Sequence, residues 1–171
     1  MKKITIITPT YNRAKTLPKV FESLLKQSFK DFIWIILDDG STDNTTEIVE
    51  NFQLFNPFFE IIYKKDKNRH KFLTVLEGVK MVKTPYFMVV DSDDIYPEDA
   101  LETLISEVEK IENQDNYVAV MGLSADENGK IVGNQYPNNG FDGSIFEMRY
   151  KHNVRGDKFG IFITKTYQRE I

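Results

Sequence analysis

Tyr86-Phe87-Met88-Val89-Val90-Asp91-Ser92-Asp93-Asp94 is an apolar run that passes without a break into three carboxylates. A short continuous apolar run reads as a strand buried on both faces, as in a parallel sheet. Downstream, Pro97, Glu98 and Asp99 are predicted to open a helix, the acids suiting the positive end of its dipole. Leu101, Leu104, Ile105 and Val108 then recur at helical spacing and supply its apolar stripe. The stretch therefore reads as a buried strand, an acidic loop at its carboxyl end, and a covering helix.

The same unit precedes it three times. Ile4 to Thr8 is a buried strand, Pro9 to Lys15 a loop, and Leu17, Val20, Phe21, Leu24 and Leu25 one helical face. Pro18 suits the first turn of that helix, where a missing N–H costs little. Phe32 to Leu37 is a second strand, with Trp34 in the core; it ends at Asp38-Asp39-Gly40-Ser41. Asp43 is the expected N-cap of a helix carrying Ile48, Val49 and Phe52. Glu60 to Lys64 is a third strand, followed by a helix presenting Phe72, Val75, Leu76 and Val79. Four such units in succession predict an α/β fold, a mostly parallel central sheet flanked by helices on both faces.

Beyond residue 117 the character changes. Tyr117 to Met121 is predicted as a strand, and Asp126-Glu127-Asn128-Gly129 as a turn before Lys130-Ile131-Val132. Asn134 to Gly143 reads as a loop, Ser144 to Tyr150 as a short helix, Phe159 to Ile163 as a last strand, and Thr166 to Ile171 as the start of a helix. Neither a linker nor an internal repeat is visible, so residues 1–171 are expected to form one domain.

The bulk numbers narrow the function classes. The chain is 41% hydrophobic and 28% charged, with 13 Phe and 8 Tyr, a composition that supports a large-residue core. Its net charge of −4 argues against a general nucleic-acid binder. With no cysteine, any metal must be held by oxygen or imidazole ligands. The apolar start after Lys3 is too short for a signal peptide and is broken by Pro9, and no stretch approaches the length of a membrane span. A cytoplasmic location is expected.

In open parallel sheets, ligands bind beyond the carboxyl ends of the strands. That rule selects three loops, Thr8 to Arg13, Asp38 to Asp43, and Asp91 to Tyr96. Clustered carboxylates repel one another unless a cation neutralises them. Hard divalent ions such as Mg²⁺ or Mn²⁺ take oxygen ligands and leave places for water and phosphates. For Asp91 to Asp94 the competing reading is a solvated turn with a helix N-cap, a role open to Asp94; Asp38 is read as a structural acid capping its own loop and Asp39 as the functional one.

Thr8-Pro9-Thr10-Tyr11-Asn12-Arg13, Asp38-Asp39-Gly40-Ser41-Thr42-Asp43 and Asp91-Ser92-Asp93-Asp94, in that order, resemble the motif series of the family-two inverting glycosyltransferases. Gln27-Ser28-Phe29 resembles the turn before that family's second strand. The resemblance covers about the first hundred residues well and the rest loosely. It implies a GT-A fold with a Rossmann-like nucleotide-binding half, a nucleotide-diphospho-sugar donor, and a divalent metal, Mn²⁺ or Mg²⁺. Pro9, Thr10 and Tyr11 would line the nucleobase pocket, and Asp39 would accept a hydrogen bond from the base, most naturally the N3–H of uracil. Asp91, with Ser92, would contact the ribose side of the donor, and Asp93 would bind the metal that bridges the two phosphates. Asp91 and His152 are the additional metal candidates. Asn12 and Arg13 are assigned to loop shape.

Lys64-Lys65-Asp66-Lys67-Asn68-Arg69-His70-Lys71 is the one basic concentration. A charge run of this kind is usually a solvated loop; the alternative is a phosphate or ribose contact from Lys71 or Arg69. The resembled family carries glycines where Arg69 and His70 stand, so only Lys71 is carried over to donor binding. An inverting transfer also needs a base for the acceptor hydroxyl. No Glu-Asp pair and no Gln-x-x-Arg-Trp motif follow the acidic loop; Asp142, Glu147 and Asp157 are the candidates, and part of an acceptor side is expected to be missing. The acceptor would be a carbohydrate or a lipid-linked sugar, with cell-surface polysaccharide synthesis the role and the inner membrane face a peripheral station. Alternatives are a sugar nucleotidyltransferase, which would want a glycine-rich first loop, and a non-catalytic nucleotide-sugar-binding module. A dinucleotide-binding dehydrogenase is disfavoured because no Gly-x-Gly-x-x-Gly turn follows the first strand. An Asp-x-Asp phosphatase would place its pair after the first strand, not the fourth.

Overall fold

The computed structural model describes residues 2–114, 116–137 and 140–169. Positions 138 and 139 of the expected loop and positions 170 and 171 of the expected last helix lie outside the described residues. In chain order the elements are β1 (Ile4–Thr10), α1 (Leu17–Lys26), β2 (Phe32–Asp38), α2 (Thr45–Phe55), β3 (Glu60–Lys65), α3 (Lys71–Met81), β4 (Tyr86–Val89), α4 (Ala100–Glu109), β5 (Ala119–Leu123), β6 (Lys158–Ile163) and α5 (Thr164–Arg169). The sheet order is β3-β2-β1-β4-β6-β5. β1 pairs in parallel with β2 and β4, and β2 with β3, whereas β4 and β6 run antiparallel, Tyr86 opposite Ile163. The fold is α/β with a mostly parallel sheet, as the repeated strand–helix pattern requires.

Contacts divide the chain into two compact units, Met1–Val120 with Ile161–Ile171, and Met121–Gly160, the boundary running through β5 and β6. In the larger unit every residue of β1 is buried, because its neighbours pair both edges and helices cover both faces. On one face Trp34 is fully buried, its indole N–H donating to the Thr8 hydroxyl at 2.9 Å. Phe21 stacks on Phe52 at 4.1 Å and reaches the Trp34 ring at 6.1 Å. Ile7, Ile35, Leu37, Val79, Val82 and Phe87 form a second buried cluster.

Two helix starts differ from expectation. α4 begins at Ala100, with Asp99 rather than Pro97 beside its first turn. The cause is Gln27, which is buried: its amide donates to the Pro97 carbonyl at 2.6 Å while its side-chain oxygen accepts from Leu101 N–H at 3.0 Å. Ser28 N–H donates to the Glu98 carbonyl at 2.7 Å. Residues 97 and 98 are thereby pinned to the α1–β2 turn instead of entering the helix. Asp94 consequently lies well before α4 and does not cap it. At α2 the cap position belongs to Asn44, yet Asp43 supplies the acceptor, taking the Thr45 N–H at 3.1 Å and its hydroxyl at 2.5 Å.

The smaller unit carries the expected turn: Asp126 Oδ1 accepts from the N–H of Asn128 and Lys130, and Ala125 and Ile131 form an antiparallel bridge. Its backbone crosses itself at Gly133, where a Cβ would lie 2.0 Å from the Arg155 carbonyl oxygen. Only a residue without a side chain permits that crossing. Glu147–Lys151 is a single π-helical turn that overlaps the expected short helix and runs one residue past it. Among the described residues no helix is long and apolar enough to cross a membrane.

Candidate functional site

Three loops of the larger unit meet because β1 lies between β2 and β4. Their joints are side chains. Asn12 sits at φ 53, and its Oδ1 accepts from the N–H of Thr42 at 2.7 Å and of Asp43 at 3.3 Å. Its own N–H donates to Ser41 Oγ at 2.8 Å, and Ala14 N–H donates to Asp43 Oδ2 at 3.1 Å. Asn12 thus shapes the loop, and asparagine is among the few residues that tolerate a left-handed backbone.

A cavity of about 410 Å³ opens at this end of the sheet. Pro9, Thr10, Tyr11, Asp39, Lys71, Asp91, Ser92 and Asp93, the donor and metal residues expected in this unit, all line it. Arg13, Asn68 and His70 join them. The Tyr11 ring is half exposed at its mouth.

Asp38 and Asp39 take opposite roles. Asp38 is buried away from the cavity, accepting from Ser41 N–H at 2.7 Å and from the Tyr63 hydroxyl at 2.6 Å. Burial, reinforced by the bond to Asp38, pushes the Tyr63 hydroxyl above the ordinary phenol range, so it remains a donor. Asp39 accepts from the N–H of Arg69 at 2.7 Å and of His70 at 3.0 Å, and from the Thr74 hydroxyl at 3.1 Å. A carboxylate offers about four acceptor directions, and these three bonds leave one over in a residue that lines the cavity. Asp39 therefore also fastens the basic loop and the start of α3 to the end of β2.

The acids after β4 are balanced by bases. Lys71 Nζ lies 2.6 Å from Asp91 Oδ2, and Arg13 Nη2 lies 3.6 Å from Asp93 Oδ2. All four side chains are roughly half exposed. Beneath them Tyr96 is buried, and that burial, then the charges of Asp94 and Asp91, raises its hydroxyl above the ordinary range. The Arg69 guanidinium turns elsewhere, to Asp66 at 3.0 Å and Glu77 at 2.6 Å. The alternative phosphate contact from Arg69 is therefore not what this arrangement offers.

Sequence reasoning noted His70 only as standing where the resembled family has glycine and gave it no role in the site. It lines the cavity at φ 80 and ψ 137, a backbone conformation that suits glycine. The legible signal was the family pattern, which has glycine here. The backbone takes a glycine-type conformation with a histidine in place.

Among the described residues no group of three or more His, Asp or Glu side chains gathers at one point. The residues nonetheless fit a hard divalent ion: Asp91 and Asp93 offer carboxylate oxygens in one cavity, and Mg²⁺-type sites commonly use one or two carboxylates and leave the rest to phosphates and water. The remaining candidates lie in the smaller unit. Glu147 Oε2 accepts from Ser144 N–H at 3.2 Å while Ser144 Oγ accepts from Glu147 N–H at 3.1 Å, a reciprocal capping box. The His152 ring packs at 4.8 Å from Phe141, and Asp142 and Asp157 are exposed.

The family model of glycosyl transferase family 2 matches residues 5–168, nearly the whole chain. The chain belongs to this family. It is 34% identical over 107 residues to glycosyltransferase GlyG of Streptococcus pneumoniae, covering 63% of this chain and 35% of GlyG. Among solved structures, residues 1–349 of S. aureus TarS in complex with UDP superpose with a TM-score of 0.68 at 21% identity, covering 98% of this chain and 48% of that one. The mannosyltransferase PcManGT of Pyrobaculum calidifontis, in complex with GDP-Man and Mn²⁺, gives 0.69 at 17% identity, covering 98% and 46%. These two show the GT-A type fold. The chain spans about a third of GlyG and less than half of either solved chain.

Proposed function

We propose that this family 2 chain forms the donor side of a metal-dependent inverting glycosyltransferase that takes its sugar from a UDP-sugar. The observation that carries the reading is the one cavity in which Asp39 after β2, Asp91 and Asp93 after β4, and Lys71 at the head of α3 meet. The complexes of TarS with UDP and of PcManGT with GDP-Man and Mn²⁺ support it by analogy of fold.

In this reading the free acceptor direction of Asp39 receives the base N–H, with the Tyr11 ring beside the base. Asp91 and Ser92 meet the ribose. Lys71 and Arg13 meet the diphosphate, and Asp93, with Asp91 as second candidate, holds the metal. A bound divalent ion would offset the negative charge that grows on the departing diphosphate. Fixed charges help most when aimed where charge develops, and the strand ends hold these side chains in place. The acceptor is a carbohydrate or a lipid-linked sugar in cell-surface polysaccharide synthesis, handled in the cytoplasm or at the inner membrane face. No base is assigned. Of the candidates, Glu147 is engaged in its own capping box, which keeps a non-catalytic nucleotide-sugar-binding module as the second reading.

A thermal-shift panel of nucleoside diphosphates with and without Mn²⁺ tests the proposal. A ligand at a hundredfold excess over its Kd stabilises by about 2.7 kcal/mol. UDP with Mn²⁺ should raise the midpoint more than UDP alone. A panel without any shift would sink the donor-site reading, and binding without hydrolysis or transfer of any UDP-sugar would favour the module.

A further inference from the structure

The acidic loop that resembles a metal site already holds two cations of the protein's own. We propose that Lys71 and Arg13 are resident counterions of Asp91 and Asp93, which they release to the diphosphate as it arrives, so that the divalent ion binds with the nucleotide and only weakly before it. This rests on the donor-site reading above.

The charge count carries the argument. Three carboxylates line the cavity; Asp39 is taken up by the N–H groups of Arg69 and His70 and the Thr74 hydroxyl, while Asp91 and Asp93 face the two positive charges of Lys71 and Arg13 in direct pairs at 2.6 and 3.6 Å. A divalent ion entering this state gains two carboxylates but must displace or lie beside two cations. A nucleoside diphosphate reverses the balance, because it brings at least two negative charges of its own. The pairs are built to yield. Their side chains are 40–58% exposed, so each pair is worth little in water and is held by no burial.

Lys71 is the first residue of the eleven-residue helix α3, so its ammonium swings from a backbone fixed beside the cavity. Asp39, through the N–H groups of Arg69 and His70, holds that backbone to the end of β2. A flexible ammonium and a planar guanidinium are both well suited to phosphate oxygens, the second in a bidentate manner. The same two side chains thus screen the acids when the cavity lacks a nucleotide and grip the nucleotide when it comes. Metal and nucleotide are then linked, and by reciprocity each raises the other's affinity by one and the same factor.

The test is Mn²⁺ binding to the whole chain, read by the loss of the free-ion EPR signal, with UDP titrations by calorimetry. A unit charge about 5 Å from a divalent ion in water-like surroundings changes its affinity roughly fifteenfold, and about 0.15 M salt reduces this to about fivefold. Lys71→Gln should therefore bind Mn²⁺ alone about fivefold more tightly than wild type, and more so at low salt, while binding UDP more weakly. Arg13→Gln should act in the same two directions, and Lys71→Arg should restore both values. Both parent side chains are half exposed, so folding of the variants is checked by unaltered circular dichroism.

Wild type that binds Mn²⁺ alone as tightly as with UDP would overturn the inference. So would a Lys71→Gln variant whose Mn²⁺ affinity is unchanged or reduced. The two readings fail separately: if wild type binds no nucleotide, the donor site is wrong, whereas the Mn²⁺ comparison without nucleotide judges the counterions by itself.

Discussion

In His70→Gly, the backbone at the head of α3 loses the Cβ that makes φ 80 and ψ 137 costly for a non-glycine residue. Residues kept in such regions cost about 1–3 kcal/mol each. The substitution leaves the backbone bonds that require this conformation, His70 N–H to Asp39 at 3.0 Å and the His70 carbonyl to the N–H of Leu73 at 3.0 Å. The imidazole is exposed, so little packing is lost. Against the relief stands the extra freedom of glycine in the unfolded chain, roughly 0.5–1 kcal/mol. The net expectation is a gain of about 1 kcal/mol, or roughly 2–4 °C in Tm for a chain of this size. Urea denaturation should show a higher midpoint with an unchanged slope. Asn12→Gly is the internal control. Asn12 also sits at positive φ, but its side chain ties two loops together, so removing it should destabilise. If His70→Gly lowers the midpoint by as much as the control, the imidazole contributes more to the fold than the strain costs, and the reasoning is wrong.

Gly78 lies where α3 crosses the sheet, and a Cβ there would stand 2.7 Å from both Ile7 Cγ2 and Leu37 Cδ1. Gly78→Ala should lose up to about 2 kcal/mol, overpacking of about 1–3 kcal/mol set against alanine's helix preference of about 1; a rise in Tm would show that the crossing has room to spare. Asp43 gives a pH signature. Burial alone would raise its carboxyl, but the Thr45 hydroxyl and the N–H groups of Ala14 and Thr45 outweigh it and hold the group below its ordinary value of 3.8. A depressed folded pKa stabilises above the ordinary value and loses that contribution as pH falls through the depressed one. The gap in urea midpoint between wild type and Asp43→Ala should therefore be full at neutral pH and narrow in strong acid; a gap independent of pH would mean that charge is not what Asp43 contributes.

Much of this protein was written locally. Unbroken apolar runs at Ile4, Phe32 and Tyr86 can be satisfied only by strands covered on both faces, and helical spacing between them forces parallel crossovers. Once β1 is central, the loops after β1, β2 and β4 must share one end of the sheet, and Asp39, Asp91 and Asp93 with them. What the sequence could not carry are contacts between residues far apart along the chain. That Gln27 halts α4 at Ala100 depends on a bond spanning 74 residues. The assignment of Asp38 to structure and Asp39 to the site was legible, but the partner that holds Asp38 inward, the Tyr63 hydroxyl, lies 25 residues away on the neighbouring strand. Charge pairing is equally non-local: Lys71 meets Asp91, and Arg13 meets Asp93, because the strand order brings their loops together. The sequence by itself determined where the acids emerge; only the tertiary structure decided which bases balance them, since electrostatic attraction depends on distance through space.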